Sequence, residues 1–396
     1  MNGASDSPNR DQMADQLQRR QETLEISGWG LPFRFFQPHN PCFWAFVALT
    51  IWGVIQMWEQ WSHVNLGIAT LASSVVLLAL YGIVLGLVFL NIDRYDGQPF
   101  KLLAVAFIWG AVPAVFGMAI GANEALGQIY GKLFGQAFTT DWSAALSAPF
   151  VEETAKGIGF LLLLGLASRR IRSVSDALLV GAFIGLGFEI LEDLLYTFNA
   201  AITASGSDQV GAAIQMVIVR SSSGIFSHAL FTALFSAGLI YLVGTPALKR
   251  NAGRGILLMF VAVLSHGVWD GAAAIAGGGG GAVVVMAVIM IVGLCALVYA
   301  FRRAASRDRE WIRDVLGPEV TSGNLRPEEL DAAAGTHKQK VAFVKAPGGK
   351  KTRRGRRNRK RLVAACRNLS RQLARSRGED SPGVESARER ILSHRR

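Results

Sequence analysis

Residues 176–199 of the 396-residue chain read DALLVGAFIGLGFEILEDLLYTFN. The stretch can cross a bilayer as one helix, because a membrane span needs about 20 mostly apolar residues. Its second half nevertheless carries Glu189, Glu192 and Asp193. Each ionisable group inside a span costs about 2.5–3.5 kcal/mol on insertion scales, so it needs a polar partner within the membrane. The stretch therefore predicts a membrane helix that faces other helices and contributes to a polar site.

Seven more apolar stretches give eight candidate spans in all. The spans lie near residues 42–58, 66–91, 101–120, 144–167, 176–199, 223–245, 254–275 and 281–301. Residues 124–140, between the third and the fourth span, are amphipathic and indicate a loop or an interfacial helix. The sequence thus predicts an all-α fold, a polytopic membrane helix bundle with about eight transmembrane helices and a basic cytoplasmic tail.

Basic residues are concentrated at one end of the chain. The net charge is +12, but residues 302–396 hold 26 of the 41 Lys and Arg and 11 of the 29 Asp and Glu. With 51% hydrophobic and 18% charged residues, the chain does not have the composition of an ordinary soluble enzyme, in which about 25% of residues are charged. We therefore distinguish a polar cytoplasmic N-terminal segment (1–41), a multi-spanning membrane domain (42–301) and a basic, partly disordered cytoplasmic tail (302–396).

Loop charges predict the orientation of the bundle. Basic residues occupy the loops at 168–176 and 249–254, whereas the loops at 59–65, 200–219 and 276–281 contain no Lys or Arg. Because basic loops stay on the cytoplasmic side, we expect a multi-pass protein of the cell membrane with both termini in the cytoplasm.

The tail has a pattern of its own. Residues 321–350 are rich in Gly, Pro and Ala and look like a linker, and nine Lys or Arg follow within 350–361. Apolar residues then recur at helical spacing, namely Leu362, Cys366, Leu369 and Leu373. We expect the tail to contact anionic lipid head groups. We expect no nucleic-acid partner, because no folded nucleic-acid module is evident.

Ionisable residues cluster in the fourth to seventh candidate spans. They are Glu152, Glu153 and Lys156 in the fourth, Glu189, Glu192 and Asp193 in the fifth, His228 in the sixth, and His266 and Asp270 in the seventh. Residues three or four apart share a helix face, so these groups can meet within each span. Counted along their spans, they lie between the middle and the outer side of the bilayer. This concentration predicts one shared polar site.

Two kinds of chemistry suit such a site. Imidazoles and carboxylates can bind a divalent metal with an open position for water. Alternatively, a carboxylate can activate water as a general base while His and Lys stabilise the oxyanion. The sequence has neither the HExxH spacing of zinc proteases nor a GxSxG motif, so serine proteolysis is disfavoured. The residues alone leave the metal question open.

Four motifs in order carry a family resemblance. They are EExxK at Glu152–Lys156, GFExxE at Gly187–Glu192, His228 in the next span, and HxxWD at His266–Asp270. This order resembles the PrsW family of intramembrane proteases, which is related to the CAAX-prenyl-endopeptidase and bacteriocin-processing group. The resemblance covers roughly residues 42–301 and leaves the basic tail unexplained.

The resemblance implies an intramembrane endopeptidase that cleaves a membrane-anchored protein, such as an anti-sigma factor. Glu152 and Glu153 would activate water within a catalytic set of Glu152, Glu153, Glu189, Glu192, His228, His266 and Asp270. Lys156 and Asp193 would give electrostatic support. His228, His266 and Glu189 would be the ligands if a metal is bound, with zinc as the candidate ion. Asp193 stands where the family pattern often has Asn, which adds a negative charge to the site.

Two other functions compete with the peptidase. An ion-coupled transporter could use the same buried Glu, His and Lys residues, although no internal repeat of the kind common in transporters is evident. A non-catalytic membrane scaffold would explain the basic tail but not the buried charges.

Overall fold

The computed structural model describes residues 7–62, 64–92, 97–204, 207–224, 227–346 and 353–395. The chain divides into two compact units. We call the first the membrane unit, which comprises Phe33–Ile92 and Gln98–Phe301. The second, the tail unit, comprises Met1–Pro32, Asp93–Gly97 and Arg302–Arg396.

The described residues form helices and no β-strand. The first ten helices are α1 (Ser7–Ser27), α2 (Pro41–Trp61), α3 (Ile68–Ile92), α4 (Phe100–Trp109), α5 (Ile120–Phe134), α6 (Gln136–Leu166), α7 (Val174–Thr203), α8 (Gln209–Gly224), α9 (His228–Val243) and α10 (Ala252–Asp270). They are followed by α11 (Ala272–Ala276), α12 (Gly279–Thr321), α13 (Pro327–Ala334), α14 (His337–Lys345), α15 (Arg353–Arg375) and α16 (Pro382–Arg395). A π-helical segment, Gly110–Ala119, joins α4 to α5.

Seven helical segments of the described chain are long and apolar enough to cross a membrane. The fourth candidate span, which corresponds to α6, is not among the seven because Glu152, Glu153 and Lys156 interrupt its apolar sequence. The predicted all-α polytopic bundle is confirmed, and the chain is a multi-pass membrane protein.

Burial separates a central layer from a peripheral one. Most of α7 and of the segment containing α9 is buried, whereas few residues in the spans of α2, α3 and α12 are buried. Exposed side chains such as Leu80 and Ile83 on α3 and Val284 and Ile291 on α12 are typical of a surface that faces lipid. Of the helices that carry ionisable site residues, α7 and α9 therefore form the buried centre of the membrane unit.

Glycines allow the central helices to approach closely. A Cβ at Gly185 would overlap the carbonyl of His228, and a Cβ at Gly187 would overlap the carbonyl of Phe107. Small residues at such contacts let helix backbones meet. Gly185 thus brings α7 next to the start of α9, and Gly187 brings it next to α4.

In the membrane unit, a segment expected to be a loop or an interfacial helix is helical, and a segment predicted to be a loop contains most of a helix. Residues 124–140 are helical on both sides of Gly135, which has a φ of +88° and separates α5 from α6. Most of α8 lies in the predicted outer loop at 200–219, and the helix packs on α3 and α7. The hydropathy of the start of α8 is low, because the small residues Gly211, Ala212 and Ala213 stand beside polar residues. The sequence therefore does not predict a helix there.

Pro113 explains the π-helical segment. Proline lacks the backbone N–H and clashes with the preceding turn of an α-helix, so the turns around it are often wider. Accordingly the N–H of Ile120 bonds to the carbonyl of Val115, five residues back. The segment leads directly into the turn of α5 that carries Asn123.

The tail unit contains a small helical core. Trp29 packs edge-on against Trp311 at a centroid distance of 5.6 Å. The carboxylate of Glu319 is buried and accepts hydrogen bonds from Arg20, Asn324 and Arg388. The four residues predicted to share a helical face, Leu362, Cys366, Leu369 and Leu373, are all buried in α15.

The expected linker at 321–350 also differs from the structure. Most of its described residues belong to α13 and α14. Pro327 stands at the first turn of α13, where proline favours a helix start, and the alanines that follow are strong helix formers. The same Pro- and Ala-rich composition that suggests a linker therefore also suits a short helix.

Candidate active site

Two neighbouring glutamates on α6 share one lysine. Glu152 is 3% exposed, and Glu153 and Lys156 are fully buried. Nζ of Lys156 lies 3.3 Å from Oε2 of Glu152 and 3.0 Å from Oε1 of Glu153. Because the residues are three or four apart, the helical repeat alone brings them together. The helix thus presents two carboxylates around one cation.

His228 lies in the first turn of α9 and is held at both ring nitrogens. Its Nδ1 lies 3.0 Å from Nζ of Lys156, and its Nε2 lies 3.0 Å from Oε2 of Glu192 on α7. An ammonium only donates hydrogen bonds, so Nδ1 accepts and Nε2 carries the hydrogen that is donated to Glu192. Groups from two other helices therefore select one tautomer of His228.

His266 on α10 is oriented by Glu153. Its Nδ1 lies 3.1 Å from Oε1 of Glu153, whose other oxygen accepts a 3.1 Å hydrogen bond from Oγ1 of Thr232. The ring stacks on Phe231 at a centroid distance of 5.1 Å. Since Nδ1 donates to a carboxylate, Nε2 faces the site, 3.6 Å from Oε2 of Glu152 and 3.4 Å from Oδ2 of Asp270. A carboxylate partner of this kind fixes the orientation of an imidazole.

The acidic residues of α7 have a separate cation. Nη2 of Arg220, on α8, lies 2.6 Å from Oε2 of Glu192, and its Nε lies 2.5 Å from Oδ1 of Asp193. The guanidinium also lies over the ring of Tyr196 at 4.3 Å. Glu192 therefore contacts both Arg220 and His228 through the same oxygen.

Glu189 lies apart from these groups. Its Oε1 accepts a 2.8 Å hydrogen bond from the hydroxyl of Tyr81 on α3, and Gly224 packs directly against the carboxyl group. Its Oε2 is buried without a hydrogen-bond partner among the described residues. The structure thus places Glu189 at the contact of α3, α7 and α8.

A cavity of about 520 Å³ opens beside the site. The polar side chains on its wall include those of Glu152, Glu192, His228, His266, Asp270 and Arg220. Glu153, Lys156, Glu189 and Asp193 do not line it. Of the two glutamates on α6, only Glu152 is therefore open to water or a substrate.

Other residues that line the cavity show at which end of the helix bundle the cavity lies. They include Gln60 at the end of α2, Thr139 near the start of α6 and Asn199 near the end of α7. These positions share one end of the bundle, opposite the basic loops at 168–176 and 249–254.

Residues 98–297 match the family model described as PrsW family intramembrane metalloprotease. The match covers half of the chain and includes each of the acidic, basic and histidine groups around the cavity. The chain belongs to the PrsW family. No curated protein and no solved structure matches it. The family resemblance is confirmed, and the protein is a membrane peptidase whose partners are a membrane-protein substrate and the lipid bilayer. The family favours this activity over a transporter or a scaffold.

The description as a metalloprotease implies a metal, and three of the described residues fit one. Glu152, His228 and His266 can each offer a ligand atom, and these atoms lie within 4.8 Å of one another. Two imidazoles and a carboxylate are a ligand set of catalytic zinc sites. Nε2 of His266 is well placed because Glu153 holds the opposite nitrogen, whereas His228 joins the set only by exchanging one of its two hydrogen bonds.

The structure therefore brings together most of the predicted site residues and separates one. Glu189, expected to be a metal ligand with His228 and His266, is not in the group of described residues that could hold a metal, which contains Glu152. The reason is that Tyr81, on a helix distant in sequence, binds the Glu189 carboxylate. Lys156 and Asp193 lie behind the cavity wall, in contact with the groups that line it.

Two polar residues at the site, Asn123 and Arg220, lie outside the set predicted from the sequence. Nδ2 of Asn123 donates a 3.1 Å hydrogen bond to Oε1 of Glu152, and Arg220 binds Glu192 and Asp193. Asn123 lies between the third predicted span and the amphipathic segment 124–140, and Arg220 lies between the predicted loop 200–219 and the sixth predicted span. For Arg220 a signal was present, since it directly follows the apolar run Met216–Val219.

Proposed function

We propose that this PrsW protein is an intramembrane endopeptidase in which Glu152 activates the attacking water. The observation that carries the proposal is the position of Glu152 on the cavity wall, with both histidines and Lys156 around its carboxylate. Glu153 has similar neighbours but lies outside the cavity. A general base must reach the water whose proton it takes, and Glu152 meets this requirement.

The reaction is the hydrolysis of a peptide bond. Glu152 takes a proton from water while the water oxygen bonds to the carbonyl carbon of the substrate. The proton then goes to the leaving nitrogen as the C–N bond breaks. Asn123 and Lys156 hold the two oxygens of Glu152 in place, and Glu153 keeps Nε2 of His266 directed at the reaction centre. Glu192 and Asp270 complete the polar wall around the substrate.

We propose zinc as the metal, bound by His228, His266 and Oε2 of Glu152, so that Oε1 of Glu152 remains the atom that takes the proton from water. A zinc ion held there would polarise the substrate carbonyl and lower the pKa of water. Elemental analysis of the purified protein, compared with His266→Ala, tests this part separately. Wild-type protein that cleaves its substrate without bound metal, and in the presence of a chelator, would favour the metal-free reaction.

We propose that the cavity faces the outer side of the cell membrane and that both termini are cytoplasmic. The support is the opposite placement of the cavity and the basic loops along the bundle. The family likeness suggests an anti-sigma factor with one membrane span as the substrate. Accessibility labelling of single cysteines introduced at Asn199 and at Ser168 tests the orientation. Labelling of position 168 from outside intact cells would contradict it.

The proposed activity is tested by replacing Glu152. Co-expression with a panel of epitope-tagged single-span proteins, including anti-sigma factors, should yield a cleavage product that Glu152→Gln reduces by about 10²–10⁴-fold. Glu59→Gln, at an exposed glutamate that bonds to Gln56, is the matched control. Equal cleavage by wild type and Glu152→Gln would overturn the proposal.

We also propose that the basic residues of the tail contact anionic lipid head groups. The start of α15 exposes Arg354, Arg356, Arg357, Lys360 and Arg361. Clusters of this kind bind anionic lipid with about 1 kcal/mol per basic residue. Hydrogen exchange of α15 in nanodiscs should slow when phosphatidylglycerol is added to phosphatidylcholine. Equal exchange in both lipids, or slowing only on addition of RNA, would contradict lipid binding.

A further inference from the structure

Arg220 connects α8 to the acidic half of α7. The residue lies one turn before the end of α8, in a part of the chain with no basic neighbour in sequence. Its side chain is 23% exposed and contributes to the cavity wall. An arginine at such a position needs a reason, because a charged group within a membrane bundle is costly.

The guanidinium binds two adjacent carboxylates at once. Nη2 contacts Glu192 at 2.6 Å and Nε contacts Asp193 at 2.5 Å, while Tyr196 supports the face of the group. Because the guanidinium is planar and its donors are fixed, two such contacts set its orientation and those of both partners. A lysine at this position could bind one carboxylate strongly. It could not bind both carboxylates with two fixed donors, as the guanidinium does.

The contact with Glu192 extends to a histidine of the site. Oε2 of Glu192 accepts the hydrogen bond from Nε2 of His228, and the same oxygen binds Arg220. The position of Arg220 therefore determines where His228 finds its acceptor. His228 in turn uses Nδ1 to bind Lys156, which holds Glu152 and Glu153.

We propose that Arg220 is a positioning residue of the peptidase site, which holds Glu192 so that Glu192 fixes the ring of His228. The inference rests on the proposed function for its effect on cleavage, but the effect on His228 is independent of it. Arg220 also balances the charge of Asp193, and among the described residues it is the only cation paired with that carboxylate.

The first test measures His228 directly. Diethyl pyrocarbonate transfers an ethoxycarbonyl group to an unprotonated imidazole nitrogen, and mass spectrometry gives the rate for each histidine. In the full-length protein in detergent, Arg220→Gln should raise the rate at His228 severalfold, because Glu192 no longer holds the ring. The rate at His266, which Glu153 orients, should stay unchanged and serves as an internal reference. An unchanged rate at His228 would overturn the proposal.

The second test separates positioning from charge balance. With a substrate that the wild type cleaves, Arg220→Gln should lower kcat about 10–100-fold with little change in KM, as for other residues that orient a functional histidine. Arg220→Lys should recover part of the loss. The double variant Arg220→Gln/Asp193→Asn restores the charge balance without restoring the two guanidinium contacts. Its kcat should therefore stay as low as that of Arg220→Gln. Full recovery in the double variant would overturn the positioning role.

Two controls make the result interpretable. Arg313→Gln removes an exposed ion pair with Asp331 in the tail unit and should leave both readouts unchanged. Thermal unfolding of each variant identifies loss of fold, and Arg220→Lys provides a variant that keeps the charge. If no substrate is cleaved even by the wild type, the proposed function fails, while the diethyl pyrocarbonate rates still decide the role of Arg220.

Discussion

The membrane unit contains two pairs of adjacent acidic residues, each with one cation. On α6, Glu152 and Glu153 share Lys156, and on α7, Glu192 and Asp193 share Arg220. The α6 pair has its cation on the same helix and contacts both histidines. The α7 pair obtains its cation from another helix and contacts one histidine. The comparison suggests that the α6 pair performs the reaction and that the α7 pair orients the groups around it.

Removing Lys156 is the strongest way to disturb the α6 pair. Lys156→Met leaves two buried carboxylates without their shared cation, which should destabilise the protein by about 3–5 kcal/mol. Lys156→Arg keeps the charge and should lose less. Thermal unfolding of the purified variants measures both effects. If Lys156→Met were as stable as the wild type, the two acids on α6 would not need a cation. The parallel between the α6 pair and the α7 pair would then be wrong.

Replacing Glu153 tests the division of roles within the α6 pair. Glu153→Gln weakens the contact that orients His266, so cleavage should fall by about 10–100-fold. The side chain lies outside the cavity, and KM should therefore change little. The same cleavage assay measures this variant beside Glu152→Gln and the control Glu59→Gln. If Glu153→Gln were inactive and Glu152→Gln active, the two glutamates would have to exchange roles.

Glu189 should give the smallest effect. Glu189→Gln retains an oxygen that can accept the hydrogen bond from Tyr81, so the cost should stay below that of one ordinary hydrogen bond, about 1 kcal/mol. Cleavage should remain within about fivefold of wild type. A loss of cleavage as large as that in Glu153→Gln would indicate that Glu189 is catalytic. It would also contradict the view that the acidic residues of α7 only orient other groups.

The same comparison explains what the sequence could predict. Lys156 lies three and four residues from its acids, so the helical repeat alone predicts the contact. His266 and Asp270 are related in the same way, and their 3.4 Å approach agrees with the spacing. The order of the spans and the presence of a shared polar site follow from hydropathy and from the cost of buried charge.

The remaining features depend on contacts between distant segments. Arg220 reaches α7 because it lies on α8, most of which was predicted as a loop, and the carboxylate of Glu189 is bound by Tyr81 on α3. Glu189 and Glu192 occupy nearly the same face of α7, so spacing alone could not distinguish their roles. These contacts cannot be predicted from a single sequence, because each depends on how helices distant in sequence pack against each other.

The π-helical segment Gly110–Ala119 has a consequence for the cavity wall. Each residue of an α-helix advances the side-chain direction by about 100°, so wider turns change the direction of everything that follows them. Asn123 points its amide at Glu152 only after this change of phase. Deleting one residue from the segment should turn the amide away and slow cleavage, whereas deleting Gly277, which lies between α11 and α12, should not. The number of residues in the π-helical segment thus sets the direction of the Asn123 side chain, although the segment itself takes no part in the chemistry.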